Sequence, residues 1–160
     1  MTVAAPYRHF ADRDELLAAV AVRAFGALGA AVTAEVAEAD LPPRRLAAMA
    51  GAYVRFAGAN RALFEVLFGS GLDKDRFPQV REAAEPANAA LTSCVVLICG
   101  DDAEAAAALT GAVAAAAHGH ATLLLDGAFG DVQTAGDVAA GHAARATLAL
   151  IEGRSALLPR

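Results

Sequence analysis

Histidine and cysteine are the residues of this chain that could bind a metal ion or act in catalysis. His118 and His120 lie two positions apart on a predicted helix, so their side chains point about 200° apart and cannot hold one metal ion together. Cys94 and Cys99 lie five positions apart on another predicted helix and point to different faces, which makes a disulfide between them implausible. We therefore expect no metal site and reduced thiols, the usual state in the cytoplasm.

Sequence motifs of known enzyme classes are missing from the chain. There is no GxSxG, HExxH, GxxxxGK[ST] or GxGxxG pattern. The adjacent carboxylates Asp101 and Asp102 precede a predicted helix, where capping and the helix dipole account for them. We expect neither enzymatic activity nor a cofactor. The alternative is a helical enzyme that uses His118 or Cys94.

The composition predicts an all-α protein. Of the 160 residues, 57% are hydrophobic and 45 are alanine, the strongest helix former. This apolar content excludes a disordered chain. The formal net charge of −5 argues against nucleic-acid binding over the whole surface, although a small basic site is compatible with it.

Prolines, glycines and capping residues divide the chain into predicted helices. Asp12 and Glu15 have the spacing of a capping box, and Asp137 is expected to cap the last helix. Pro86 is expected to kink or split the helix that contains it. The predicted helices are 12–39, 43–59, 61–68, 78–99, 103–126 and 137–152. We expect Leu16, Val20, Phe25 and Leu28 to be buried on the first, and Val138, Gly141, Leu148 and Ile151 on the last.

The stretch 105–125 has no formally charged residue and is long enough to cross a bilayer. It is rich in alanine and glycine and has acidic flanks, so we favour a buried or interface helix and no membrane association. Within it Gly111, Ala115 and Gly119 recur every four residues, which lets two helices approach closely. This stripe fits a subunit interface or tight packing inside one subunit, and the sequence does not decide between them.

Residues near the N-terminus resemble the junction between the recognition helix and the long fourth helix of TetR-family (tetracycline-repressor-like) regulators. The positions that match are Thr2, Tyr7, His9, Phe10, Arg13, Leu16 and Leu17. Residues 60–71 are similar to the family as well. Residues 118–127 resemble the interface helix of one TetR subfamily, except that the aromatic residue expected before His-Gly is replaced by alanines at 114–117.

The resemblance implies an all-α, TetR-like C-terminal bundle without the first two helices of the DNA-binding domain. Residues 1–11 would be the remnant of the recognition helix and turn, and residues 12–160 the effector-binding and dimerisation domain. The implied function is ligand-responsive transcriptional regulation, as a repressor. The alternative is a helical small-molecule-binding protein that does not bind DNA.

The resemblance also implies sites. In an intact protein, the DNA phosphates would be contacted by Thr2, Tyr7, His9 and Arg13. A small apolar effector would bind where aromatic and sulfur side chains converge, with polar groups from Tyr53, His118 or Asn60. The expected pocket residues are Met49, Tyr53, Phe56, Phe64, Phe68, Cys94 and His118. A homodimer through the last two long helices would use Gly111, Ala115, Gly119, Leu123 and Leu148.

Overall fold

The computed structural model describes residues 10–158, except the side chains at positions 74 and 133. This part of the chain is all-α, as predicted. Its elements are α1 (Arg13–Ala37), α2 (Pro42–Ala59), α3 (Arg61–Phe68), α4 (Pro78–Cys99), α5 (Ala103–Leu125) and α6 (Val132–Glu152), with 3-10 turns at Lys74–Arg76 and Arg154–Leu157. Thr2, Tyr7 and His9 lie outside the described residues, so their predicted role and the boundary at residue 11 stay predictions.

Local capping sets the beginnings of α1 and α5. The Asp12 carboxylate accepts a hydrogen bond of 2.8 Å from the backbone N–H of Glu15, and the Glu15 carboxylate accepts one from the N–H of Ala11. The Asp102 carboxylate accepts one of 2.9 Å from the N–H of Ala105. These bonds satisfy N–H groups that have no partner inside the helix. The predicted starts of these two helices are confirmed.

The predicted start of the last helix is wrong. α6 begins at Val132, and the Asp131 carbonyl accepts the N–H of Ala135 at 2.8 Å. Asp137 therefore lies inside the helix, where its carboxylate accepts a hydrogen bond of 2.7 Å from Arg55 Nε. Asp137 thus interacts with α2 and does not cap α6.

Pro86 does not split α4, which continues from Pro78 to Cys99. A proline removes one N–H from a helix and so leaves the carbonyl four residues earlier without its usual partner. That carbonyl belongs to Glu82, and both Glu82 and Pro86 are exposed. Water can therefore replace the missing bond. The helix ends at Gly100, whose φ of +64° suits glycine better than other residues.

The core is centred on α2, which contacts α1, α4, α5 and α6. It packs closely against α6, where a Cβ added at Gly51 would lie 3.5 Å from the Ala140 carbonyl oxygen. Small residues on both helices allow this short distance. The largest fully buried side chains are Leu46, Leu67, Leu109, Leu124, Val54, Val80, Val95 and Thr147.

The outer helices bury different residues from those predicted. On α1, Leu28 is buried, but Leu16, Val20 and Phe25 are only half-buried because alanines make the core face. On α6, Ile151 is buried, Gly141 is half-buried, and Val138 and Leu148 are exposed. Alanines at 139, 140 and 143 occupy the inward positions instead.

By length and composition alone, α1 and α5 are apolar enough to cross a membrane, and this is weak evidence. In the described structure both helices contribute one face to the shared core. The buried residues of α5 recur every three or four positions, which is the pattern of a helix packed on one side. They are Ala105, Leu109, Val113, Ala117, Ala121 and Leu124.

Two adjacent leucines on α5 test this packing. Leu124 is 0% exposed and Leu123 is 48% exposed. Leu124→Ala should lower the free energy of unfolding by about 2–5 kcal/mol because it leaves a cavity, whereas Leu123→Ala in dilute protein should change it by about 0.5 kcal/mol or less. Guanidinium denaturation followed by circular dichroism measures both. Equal losses would contradict the described face of α5.

Candidate ligand pocket

A cavity of about 730 Å³ lies between α1, α2, α4 and α5. Its volume is within the range of small-molecule sites in proteins. The lining residues are Phe25, Leu28 and Val32 from α1; Leu46, Met49, Ala50 and Tyr53 from α2; Val80, Arg81, Ala84, Ala87, Asn88 and Leu91 from α4; Val113, Ala114, Ala115, Ala117 and His118 from α5; and Phe68 and Asp75.

Alanine creates much of this space. Six of the twenty lining residues are alanines, and each extends only one carbon from its helix. Where four helices surround a common volume, such short side chains cannot fill it, although the same residues pack well between two helices in direct contact. The run of alanines at 114–117 stands where a related subfamily was expected to carry an aromatic residue. Ala114, Ala115 and Ala117 of this run line the cavity.

Four rings, from Tyr53, Phe64, Phe68 and His118, form an aromatic cluster at the cavity wall. The rings of Phe64 and His118 are stacked, with centroids 5.5 Å apart and planes 24° apart. Phe68 meets His118 edge-on at 5.2 Å, and Tyr53 meets Phe64 edge-on at 5.6 Å. Such contacts hold rings in defined orientations. The cluster thus fixes the position of two polar groups, the Tyr53 hydroxyl and the His118 imidazole.

These two polar groups are hydrogen-bonded to each other. Tyr53 Oη lies 2.9 Å from His118 Nδ1, and the tautomer of the imidazole decides which atom donates. Burial raises the pKa of Tyr53 above its ordinary value, so its phenol stays protonated at neutral pH. The pair therefore offers hydrogen bonds to the cavity without a phenolate charge.

Formal charge is limited to two residues of the cavity lining. Asp75, in the 3-10 turn before α4, and Arg81, on α4, are the charged side chains among the lining residues, and both are exposed. Asn88 adds an exposed amide. The rest of the wall is apolar apart from Tyr53 and His118. An apolar wall with a few placed polar groups is typical of a small-molecule site.

The structure brings together four of the seven residues predicted for the pocket: Met49, Tyr53, Phe68 and His118 all line the cavity. Phe64 does not line it but belongs to the aromatic cluster. Their role in binding a ligand stays a prediction.

Phe56 and Cys94 do not line the cavity, because it covers α2 only as far as Tyr53 and α4 only as far as Leu91. Phe56 instead lies with Asn60 in a smaller pocket of about 260 Å³ against α1. Cys94 is buried about one turn beyond Leu91. Aromatic or sulfur character identified these residues, but position along the helix decides which of them reach the cavity.

The predicted pocket included no residue of α1 and, from α4, only Cys94, which lies outside the lining. Phe25, Leu28 and Val32 come from α1, and Arg81 and Asn88 from α4. Each set follows helical spacing, so a search for apolar residues three or four positions apart could have found the α1 set. That Arg81 and Asn88 face the same volume depends on how the helices pack.

The small-residue stripe on α5 does not pack inside the subunit. A Cβ added at Gly111 or Gly119 would meet nothing within 4 Å. Ala115 is exposed and lines the cavity, Leu123 is 48% exposed and Leu148 is 36% exposed. The interpretation as internal packing is therefore wrong for these two glycines, and the subunit interface stays a prediction.

Arg13 and His120, two other polar residues considered in the sequence, lie outside the cavity lining. Arg13, the one predicted phosphate contact within residues 10–158, is exposed and lies 3.9 Å from the Asp14 carboxylate. His120 does not line the cavity; its Nδ1 is 2.7 Å from the Ala116 carbonyl oxygen, to which it donates. Across the described part of the chain, no group of three or more metal-ligating side chains comes together.

The chemistry of Cys94 can be tested directly. Burial raises the pKa of its thiol, and the nearby Arg45 charge opposes this only in part. At neutral pH, iodoacetamide should therefore label Cys94 about tenfold or more slowly than the less buried Cys99, and Cys94 should gain reactivity at higher pH or on unfolding. Both cysteines lie in the tryptic peptide 82–145, so its fragmentation in the mass spectrometer measures the two rates separately, with Cys94→Ser as the control for assignment. Faster labelling of Cys94 would favour a nucleophilic role and contradict the described burial.

Comparison with known proteins adds two findings. Residues 46–148 match the family described as tetracyclin repressor-like, C-terminal domain. The chain is also similar to a solved structure of a protein with unknown function from Rhodococcus sp. RHA1, with 32% sequence identity, 89% of this chain and 78% of that chain covered, and a TM-score of 0.62. Curated protein sequences give no match.

The family match extends from the first lining residue of α2, Leu46, to Leu148 on α6. It thus includes α3, α4 and α5, which together with α2 supply most of the cavity wall. The chain belongs to the tetracycline repressor-like C-terminal domain family.

Proposed function

We propose that this chain is the effector-binding and dimerisation domain of a TetR-type transcriptional regulator, a repressor that acts in the cytoplasm. The observation that carries the proposal is the cavity of about 730 Å³, apolar except for the Tyr53–His118 pair and a few exposed polar side chains. Most of its wall is apolar, and apolar surface in contact with water is unfavourable. A small apolar effector that fills the cavity removes this surface from water.

Ion pairs supply a route from the cavity to the beginning of α1. Asp75 lines the cavity, and the next residue, Arg76, donates to Asp12 Oδ2 at 2.9 Å and to Asp14 Oδ2 at 3.3 Å. Asp12 caps α1 and Asp14 lies in its first turn. A ligand that moves the loop before α4 would therefore also move the end of α1 that adjoins the predicted DNA-binding residues.

Regulation through this route is a shift between two arrangements of the helices. A ligand changes their populations only if it binds one arrangement more tightly than the other. We propose that the effector favours an arrangement in which two DNA-reading elements are wrongly spaced for an operator. DNA binding would then require a complete helix-turn-helix, because a recognition helix needs its partner helices to enter the major groove.

Dimerisation sets the spacing of those two elements, and we propose a homodimer through α5 and α6. The face that they present carries Gly111 and Gly119, with no neighbour in their own subunit, and the exposed apolar residues Leu123, Val138 and Leu148. Small residues allow close approach of helices, and apolar ones gain from burial. Two α5–α6 pairs would form a four-helix bundle.

A matched pair of substitutions tests the effector site. Ala114 lines the cavity, whereas Ala30 on α1 is also exposed but lies outside the lining of the cavity and of the smaller pocket. The neutral dye N-phenyl-1-naphthylamine should gain fluorescence with the unaltered chain and with Ala30→Phe, and should bind Ala114→Phe at least about tenfold more weakly because a phenyl group fills the space. Circular dichroism checks that both variants remain helical. Equal binding by all three proteins would contradict an effector site in this cavity.

Gel shifts with the product of the complete reading frame test the regulatory role. Operator DNA should be retained without ligand and released when the cavity is occupied, and Ala114→Phe should weaken that release. Dye binding by the cavity without retention of upstream DNA would favour the alternative, a helical small-molecule-binding protein that does not bind DNA.

A second matched pair tests the dimer. Gly119→Leu on α5 and Gly26→Leu on α1 both add a side chain where a Cβ would meet nothing within 4 Å, so neither should disturb the fold of the subunit. Gly119→Leu should raise the dimer dissociation constant by at least about tenfold, since it separates two closely packed helices, and Gly26→Leu should not change it. Sedimentation velocity over a dilution series measures both. A monomeric unaltered chain, or an unchanged Gly119→Leu dimer, would contradict this interface.

A further inference from the structure

We propose that the ligand of the cavity is an uncharged aromatic alcohol, whose hydroxyl group binds the Tyr53–His118 pair and whose ring packs against the aromatic cluster. This inference rests on the proposed effector site and names the chemical class of its ligand. Three features of the cavity support it: the hydrogen-bonding capacity of the pair, the rings around the pair, and the distribution of charged side chains in the lining.

The pair presents one donor and one acceptor in either tautomer. If the Tyr53 hydroxyl donates to His118 Nδ1 across the 2.9 Å separation, the imidazole Nε2–H is a donor and Tyr53 Oη is still an acceptor. If Nδ1–H donates instead, the Tyr53 hydroxyl is the donor and Nε2 is the acceptor. A ligand hydroxyl both donates and accepts, so it fits both states. A carbonyl or an ether oxygen only accepts, and a hydrocarbon does neither.

The surroundings of the pair favour an aromatic ring. Tyr53 and His118 are held among the rings of Phe64 and Phe68, with centroid separations between 4.9 and 6.3 Å within the cluster. Phe68 belongs to the cluster, lines the cavity and is 42% exposed. A flat ligand ring can add a tilted or edge-on contact to this cluster, as aromatic rings prefer.

The distribution of charge favours an uncharged ligand. Neither Tyr53 nor His118 has an ion-pair partner among the side chains that the structure describes, and the charged lining residues are Asp75 and Arg81, which are exposed. His118 is itself exposed and Tyr53 is half-buried, so a carboxylate or an ammonium group placed on the pair would give up part of its hydration without meeting an opposite charge, which costs more than for a neutral group. A hydroxyl loses less and recovers its hydrogen bonds there.

Three probes that share one ring system test the proposal by calorimetric titration at neutral pH: 1-naphthol, 1-methylnaphthalene and 1-naphthoate. The unaltered chain should bind 1-naphthol about tenfold more tightly than 1-methylnaphthalene, as expected for the hydrogen bonds that only the hydroxyl can make. It should bind 1-naphthoate more weakly than 1-naphthol. This comparison needs no variant, so it does not depend on how a substitution affects folding.

Variants then assign the preference to the pair. Tyr53→Phe keeps the ring and removes the hydroxyl, so it should abolish the advantage of 1-naphthol while binding of 1-methylnaphthalene stays within about twofold. His118→Phe should have the same effect. The matched control is His120→Phe, two positions along α5 and outside the cavity lining, which should leave the preference unchanged.

The outcomes separate this inference from the proposed effector site. Equal binding of 1-naphthol and 1-methylnaphthalene would overturn the inference and leave the effector site standing. Tighter binding of 1-naphthoate would also overturn it, in favour of an anionic ligand. Failure of all three probes and of the neutral dye to bind would overturn the effector site itself, and the inference with it.

Discussion

The short side chain of alanine is the constraint on which the rest of this structure depends. Where two helices meet directly, as α2 and α6 do at Gly51 and Ala140, small residues bring the backbones close. Where α1, α2, α4 and α5 surround one volume, alanines at several positions leave it unfilled. Small side chains therefore produce both the close helix packing at the centre of the bundle and the cavity. Close packing results where two helices meet, and a cavity results where four helices surround one volume.

The polar features of the cavity depend on contacts between distant parts of the chain. Tyr53 and His118 are separated by 65 positions, yet their side chains share a hydrogen bond within the aromatic cluster. Rings in mutual contact restrict each other's orientation, so the pair is positioned before any ligand arrives. Preorganisation of this kind lowers the entropy that binding would otherwise cost. The pair also gives a largely apolar wall two fixed hydrogen-bonding groups.

Residues next to the cavity wall also contact the beginning of α1. Arg76 follows a residue of the cavity lining and holds two carboxylates at the beginning of α1, while α5 presents glycines without neighbours on another side. We propose that these two places, the α1 end and the α5–α6 face, respond to what fills the cavity. That organisation agrees with membership of a family of repressor-like C-terminal domains.

The sequence by itself determined the helices and the ends of most of them. Alanine content, proline positions and the caps at Asp12 and Asp102 act within a few residues, so their effects do not depend on the rest of the fold. The exception is the beginning of α6, which lies at Val132 and leaves Asp137 inside the helix, hydrogen-bonded to Arg55. The predicted bounds of α4 agree with the structure, and Pro86 does not split the helix because its exposed position lets water replace the lost bond. Only the tertiary structure decided which aromatic residues line the cavity. Met49 and Tyr53 reach it, whereas Phe56 lies in the smaller pocket against α1, because the position of the cavity along α2 is set by helices far apart in the sequence.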